Sequence, residues 1–281
     1  MAGVSAKELK GRIRSMENTR QITKAMEMVA ASKLRGAQEK ALRSRPYFET
    51  LYATMADLAS CRPDYPSPYT VERGGKKTCC IVIAGDRGLA GGYNAGVLKL
   101  ALSKLEGREA EVLPIGKKAV DFFRSRRIPL LTEDHAEAAS VSVGDCFSMA
   151  RLLCKQFRAG EFDEVLLAYT NFVSLLSQSP AVLKLLPLRP PGGDNPPLRP
   201  ILYEPDSESV YDAIVPEFLG GLIYGALCES IASEQAARRT AMDAATKNAD
   251  EMIDDLNLKF NRARQGAITQ EITEIVAGAE A

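Results

Sequence analysis

The stretch "KTCCIVIAGDRGLAGGYNAGVLKLALSKL", residues 77 to 105, decides how the centre of this chain is read. An apolar run, Thr78 to Ala84, gives way to a glycine-rich turn and then to a helical pattern. A buried strand, a tight turn and a helix in that order open an α/β unit. Phosphate-binding loops begin in the same way, so the turn must be tested against their chemistry. A P-loop needs G-x-x-x-x-G-K-[ST], because its lysine reaches the outer phosphates and its hydroxyl holds magnesium. Gly85 to Asn94 has no lysine and is not followed by Ser or Thr in that position. The spacing of Gly85, Gly88, Gly91, Gly92 and Gly96 also fails the dinucleotide fingerprint G-x-G-x-x-G. The glycines therefore read as positions of positive φ and close strand-to-helix packing. Asp86 and Arg87 read as a local ion pair or a docking contact.

Working outward, "EVLPIG" and "EVLLAYTNF" read as further strands, with another in "VSLLSQSPAVLKLLPL". "GKKAVDFFRSRR" and a segment ending near Gly160 read as helices. Alternation of this kind predicts an α/β layer with a largely parallel sheet. "RPPGGDNPPLRP" breaks regular structure and marks a surface loop.

The two ends differ from this centre. From about Ser5 to Leu58, Leu9, Ile13, Met16, Ile22, Met26 and Val29 recur at steps of three and four, with Pro46 expected to kink or interrupt the helix. After Ser207 or Ser209, either a candidate cap, and Pro216, nothing stops a second helix from Glu217 to about Ala277. At 1.5 Å per residue the two would run roughly 80 and 90 Å. A compact domain of this size is nearer 30 to 40 Å across, so each helix needs a partner for its apolar stripe. Leu219, Ile223, Leu227, Ala237, Ala241, Ala244, Met252, Leu256, Phe260, Ala263 and Ala267 supply one such stripe. Mixed steps of three and four suit a left-handed coiled coil. The expectation is α/β: a long antiparallel coiled coil of the N- and C-terminal helices plus a central Rossmann-like domain. Its parts are the N-terminal helix at 1–60, the globular domain at 61–206 and the C-terminal helix at 207–281.

Composition narrows the function. The chain has 281 residues, with 36 basic and 36 acidic side chains, so it is not as a whole a polyanion binder. Charge is nevertheless segregated. Residues 1–45 carry eleven Lys or Arg against four Glu, and residues 250–281 carry seven acids against three bases. That pattern is a solvated face, or a basic collar for an acidic partner. Nucleic acid is disfavoured, because interleaved aromatics are absent and the acidic half would repel phosphate. Six cysteines show no CxxC and a single histidine, His135, leaves little for a metal site, so no cofactor is expected. Cys79 and Cys80 in an apolar strand, and Cys146 and Cys154 on a helix, read as buried reduced thiols. The start of the chain is polar, unlike a secretory signal, and no apolar run approaches the roughly 18 residues that span a bilayer, so no direct bilayer insertion is expected. No G-x-S-x-G elbow or HExxH appears, and no active site is read.

"NTRQITKAMEMVAASKLR" at 18–35, "RPYFETL", "DRGLAGGYN", "LYEPD", "ASEQAARRTAMDAATKNADEMI" and "NRARQGAITQEITEIVAGAEA" closely resemble the gamma subunit of F-type ATP synthase, in order and spacing. That resemblance implies a non-catalytic rotor shaft, its coiled coil standing in the catalytic head and its globular domain on the proton-driven membrane ring. By similarity, Lys24, Met26 and Arg35 would face the acidic lever segment of the β subunits, and Arg238, Gln265, Thr269 and Glu274 would form a catch with the head. Asp86, Arg87, Tyr203 and Glu204 would lie near the ring and the epsilon subunit. The implied partners are the alpha and beta subunits, the epsilon subunit and the ring subunits. The implied place is the cytoplasmic side of the bacterial inner membrane, held peripherally. "PPGGDNPP" lacks the cysteine-bearing insertion of photosynthetic forms, and the absence of a transit peptide points to a bacterial source. A free-standing α/β enzyme, a coiled-coil adaptor and a nucleic-acid-binding protein are the competing readings.

Overall fold

The computed structural model describes residues 5–60, 67–74, 76–132, 137–188 and 204–279. In chain order the elements are α1 (Ala6–Ser60), β1 (Lys77–Ile83), α2 (Tyr93–Leu105), β2 (Glu109–Ile115), α3 (Lys117–Ser125), α4 (Val143–Ala159), β3 (Glu164–Phe172), β4 (Gln178–Leu186) and α5 (Ser207–Ala279). They divide into two compact units, Met1–Ala31 with Arg238–Ala281, and Ser32–Ala237.

The larger unit holds a four-stranded sheet in the order β2-β1-β3-β4. β1 pairs in parallel with both β2 and β3, and β4 closes the edge antiparallel to β3. Alternate side chains along β1 enter opposite layers, as a pleated strand requires. Cys80 and Val82 pack with Val97, Leu98 and Ala101 of α2 and Phe123 of α3. Cys79, Ile81 and Ile83 pack with Cys146, Leu153 and Phe157 of α4 and Leu219, Ile223 and Leu227 of α5. The sheet is thus covered on both faces, which is why its strands read as continuous apolar runs. Cys79, Cys80, Cys146, Cys154 and Cys228 are free and buried, as expected for packing thiols. Burial pushes the thiols of Cys80, Cys146 and Cys154 up to about 12. They are inert hydrophobes at neutral pH.

Helix ends follow local chemistry. Ser142 and Asp145 form a reciprocal capping box at the start of α4, and Gly160 ends that helix with φ 78°. Asp206, rather than Ser207 or Ser209, caps α5: its carboxylate accepts the Ser209 N–H at 2.8 Å and the Ser209 hydroxyl at 2.9 Å. Pro46 and Pro216 both lie inside continuous helices, so the expected interruption at Pro46 does not occur. An interior proline costs about 3 kcal/mol. Around Pro216 that cost is offset by burial of Val215, Phe218 and Leu219 on either side of it.

The smaller unit pairs α1 and α5 antiparallel. Thr23 Oγ1 lies 2.8 Å from Thr246 Oγ1, and Arg20 reaches Asp250 at 3.2 Å. The buried seam consists of Leu9, Thr23 and Ala30 on α1 with Met242, Ala249, Ile253 and Leu256 on α5. Much of the expected stripe is covered: Leu9 and Leu256 are buried, and Ile13, Met16, Met26, Ala241, Phe260 and Ala263 are half-buried. Ile22, Val29 and Met252 are exposed, as are Ala244 and Ala267. Alanine carries little preference for inside or outside, and Met242, Ala249 and Ile253 are buried beside the expected stripe rather than on it.

α5 contains one window of mean hydropathy 1.4, which amends the expectation that no stretch approaches bilayer-spanning character. More than half of that window is buried in the protein, where Val215, Leu219, Ile223 and Leu227 cover the sheet.

Candidate functional site

The glycine turn sits at the carboxyl end of β1, the central strand from which the chain leaves first to β2 and later to β3. In open α/β sheets ligands bind at that switch point. Here the position is filled by the chain itself. The Gly85 N–H donates to Asn94 Oδ1 at 2.8 Å, and Asn94 Nδ2 donates to the Arg87 carbonyl at 3.2 Å. Gly85 therefore has no free amide to present to a phosphate. Across the crevice, Ser230 Oγ of α5 accepts the Thr170 N–H at 3.0 Å, and Ser233 Oγ donates to the Thr170 carbonyl at 3.2 Å. Glu234, buried on the same helix, brings Oε1 to 2.9 Å from where a Gly85 Cβ would lie. A carboxylate in the crevice would repel a phosphate, and any side chain at position 85 would strike it.

The turn also locks β1 to β2. A Cβ at Gly116, φ 88°, would lie 2.0 Å from the Ala84 carbonyl oxygen, so no other residue fits there. Asp86 Oδ1 accepts the Lys117 N–H at 3.1 Å, at the start of α3. Asp86 thus holds a helix start, and no hydrogen bond joins it to Arg87, which is exposed. The serines and Glu234 of "SIASEQ" escaped the sequence reading. Polar residues interrupting the apolar run of α5 were the available signal.

The positions assigned to the shaft lie mostly at the surface. In the smaller unit Lys24 is exposed and pairs with Glu27 at 2.9 Å, and that carboxylate holds the Lys24 ammonium above the usual lysine range. Met26 is half-buried. Arg238 is half-buried and engaged by a neighbour. Gln265, Thr269 and Glu274 are exposed; Thr269 Oγ1 donates to the Gln265 carbonyl at 2.9 Å, and Glu274 accepts from Gln270 at 2.9 Å. Arg35 is exposed in the larger unit, and Glu204 is exposed just before α5. Tyr203 and His135 lie outside the described residues. Among the described residues no group of three His, Cys, Asp or Glu side chains is placed to hold a metal ion.

The apolar surface is more telling. Ile22, Met28 and Val29 on α1 are each more than half exposed, as are Leu258, Ile272, Ile275 and Val276 on α5. Extending the Thr23–Thr246 register puts Ala6, the first residue of α1, opposite about residue 263 of α5. Beyond it, Arg264 to Val276 are all exposed.

The chain thus combines a long helical pair carrying exposed apolar side chains with a Rossmann-like domain, joined in sequence, whose crevice is filled by its own side chains. The family model for ATP synthase matches residues 5–281. The chain is 45% identical over 276 residues to an ATP synthase gamma chain of Ruminococcus albus, covering 96% of each. It is 43% identical to that of Alkaliphilus metalliredigens, covering 99% of each. Among solved structures it superposes with a TM-score of 0.71 on a chain of the Euglena gracilis mitochondrial ATP synthase, at 20% identity, covering 98% of this chain and 93% of that one. A chain of the Tetrahymena thermophila mitochondrial central stalk and c-ring gives a TM-score of 0.58 at 23% identity, covering 80% of this chain and 99% of that one. The chain belongs to the ATP synthase gamma-chain family.

Proposed function

We infer that this chain is the non-catalytic central shaft of an ATP synthase, turning with the membrane ring and driving the catalytic head. The observation that carries this reading is the run of exposed apolar side chains, Ile268, Ile272, Ile275 and Val276, at the end of α5. An apolar surface on a helix that no described residue covers needs a collar, and undirected contacts let a shaft turn within it. Membership in the family supports the same reading, with the chain in a membrane-associated complex.

The finer assignments belong to the same proposal. Lys24, Met26, Arg35, Arg238, Gln265, Thr269 and Glu274 contact the alpha and beta subunits of the head. Asp86, Arg87, Tyr203 and Glu204 face the ring or the epsilon subunit, and the complex faces the bacterial cytoplasm. The test is co-expression of the chain with head subunits, followed by purification and measurement of ATP hydrolysis and proton pumping. The chain should co-purify with a hexameric ATPase. Met26→Lys should lower pumping per ATP hydrolysed while assembly persists, because an added cation on the shaft forms a new ion pair with the acidic lever. Equal loss of assembly and hydrolysis would show that Met26 serves packing alone.

A further inference from the structure

One pocket in the larger unit lies away from the glycine turn and from the shaft positions. It has a volume of about 200 Å³ and is bounded by Tyr52 of α1, Tyr169 of β3, and Phe218, Gly221, Gly225 and Glu229 of α5. Roughly 150 Å³ suffices for a benzene-sized guest. Gly221 and Gly225 are one helical turn apart, and a Cβ at Gly225 would meet nothing within 4 Å. The space is room that a side chain could have filled.

The lining has a specific chemistry. Three aromatic rings border the pocket: Phe218 is buried, Tyr169 is half-buried, and Tyr52 stands at the rim, 54% exposed. Tyr52 and Phe218 have ring centroids 6.4 Å apart at 43°, so their faces converge rather than stack. Beside them, Glu229 accepts the Phe172 N–H, while its Oε2 is buried without a hydrogen-bond partner. A carboxylate left so has lost water without gaining a positive neighbour, and burial pushes its carboxyl up. The phenol of Tyr169 is pushed up too, by burial and by the charge of Glu229.

An apolar guest alone would leave that carboxylate uncompensated, and an anion would be repelled. A simple ammonium would have to find acceptors for three N–H groups in a wall where Leu51, Leu183, Leu222 and Ala226 fill the space between the rings and Glu229 is the one charged residue. An alkylated ammonium has none to satisfy. Its charge is spread over methyl groups that fit against ring faces, where cations are attracted within about 6 Å of the centroid. It compensates a nearby carboxylate by charge, without requiring the buried oxygen to be reached by a donor. We propose that this pocket is a binding site for a small quaternary ammonium ion, with Tyr52, Tyr169 and Phe218 as the cage and Glu229 as its counter-charge. The assignment is independent of the shaft reading.

The test compares choline with its uncharged carbon isostere, 3,3-dimethylbutanol, by NMR titration of the purified full-length chain. Choline should bind saturably and at least about tenfold more tightly than the isostere, which is about 1.4 kcal/mol. Gly225→Leu, which fills the pocket, should abolish binding. Glu229→Gln should bring the two affinities together. Tyr52→Leu, at an exposed position where folding is least at stake, should weaken choline more than the alcohol. Absence of saturable binding overturns the proposal, as does equal affinity for the two probes. Unchanged choline affinity in both Glu229→Gln and Tyr52→Leu overturns it as well, since the ion would then be elsewhere.

Discussion

The two compact units of this chain solve the same problem, burying apolar surface, to very different depths. In the larger unit both faces of the sheet are covered, and Ile81, Ile83, Phe123, Phe157 and Leu167 are wholly inaccessible. In the smaller unit each helix buries only a narrow line of side chains. At its center a polar pair, Thr23 and Thr246, takes a core position. Nearer the end of the pair, Leu9, Met16, Met252 and Leu256 border an open groove of about 880 Å³. Close packing therefore fixes the α/β unit, whereas the helical pair leaves apolar surface for others to cover. The first is built for its own stability, the second for contact.

The sharpest way to break this contrast is to attack the tightest point of the larger unit. Gly116→Ala places a Cβ against the Ala84 carbonyl oxygen at a φ that L residues rarely adopt. It should cost ~3 kcal/mol or more, or prevent folding. Denaturant unfolding followed by circular dichroism measures it, and a loss under about 1 kcal/mol would mean the strand ends separate easily.

Truncations of equal size separate the units next. Leu167→Ala removes a wholly buried side chain from between sheet and helices and should cost about 2–5 kcal/mol, toward the upper end. Leu256→Ala removes a side chain already bordering the groove and should cost no more than roughly 2 kcal/mol, because part of its surface faces open space. Equal losses in chemical denaturation would show the seam to be as close-packed as the sheet core.

The same contrast explains how much of the fold is legible in the sequence. Strands β1, β2 and β3 and helices α3 and α4 were legible because large apolar side chains and capping residues such as Gly160 mark them. The seam was legible in part: Leu9 and Leu256 lie in it as expected, whereas Ala244 and Ala267 are exposed, since alanine carries almost no preference for inside or outside. The shaft positions were reached through resemblance, not geometry: Gln265, Thr269 and Glu274 lie exposed and look like any solvated face. Plugging of the crevice by Ser230, Ser233 and Glu234 left only a faint signal, polar residues interrupting the apolar run of α5, because those residues lie far along the chain from the turn they fill.

A smaller effect is expected where α5 begins. Asp206 accepts two hydrogen bonds from Ser209, and these hold its carboxyl below the usual aspartate range. A group whose folded pKa is depressed contributes stability above its unfolded value, about 3.9, and that contribution fades as pH falls through the folded value. Asp206→Ala should lower thermal stability at neutral pH and match the parent chain at strongly acidic pH. A difference independent of pH would mean that the carboxylate charge has no part in capping.

The smallest effects should come from the end of α5, and they separate the chain from the complex it serves. Ile272 is 56% exposed, so neither Ile272→Ala nor Ile272→Asp should change unfolding of the isolated chain by more than about 0.5 kcal/mol. Within an assembled head the two should diverge. Losing a few methyl groups forfeits weak dispersion contacts that neighbours such as Ile268 and Ile275 share, so Ile272→Ala should leave hydrolysis nearly intact. A carboxylate at the same place would be stripped of water with no partner in an apolar collar, and Ile272→Asp should slow hydrolysis or loosen its coupling to proton pumping. Parallel assays on the chain and on the complex check both halves. Complete loss of activity from Ile272→Ala would show a single directed contact at the tip. Indifference of the complex to Ile272→Asp would show that this face stays in water even when the shaft is seated.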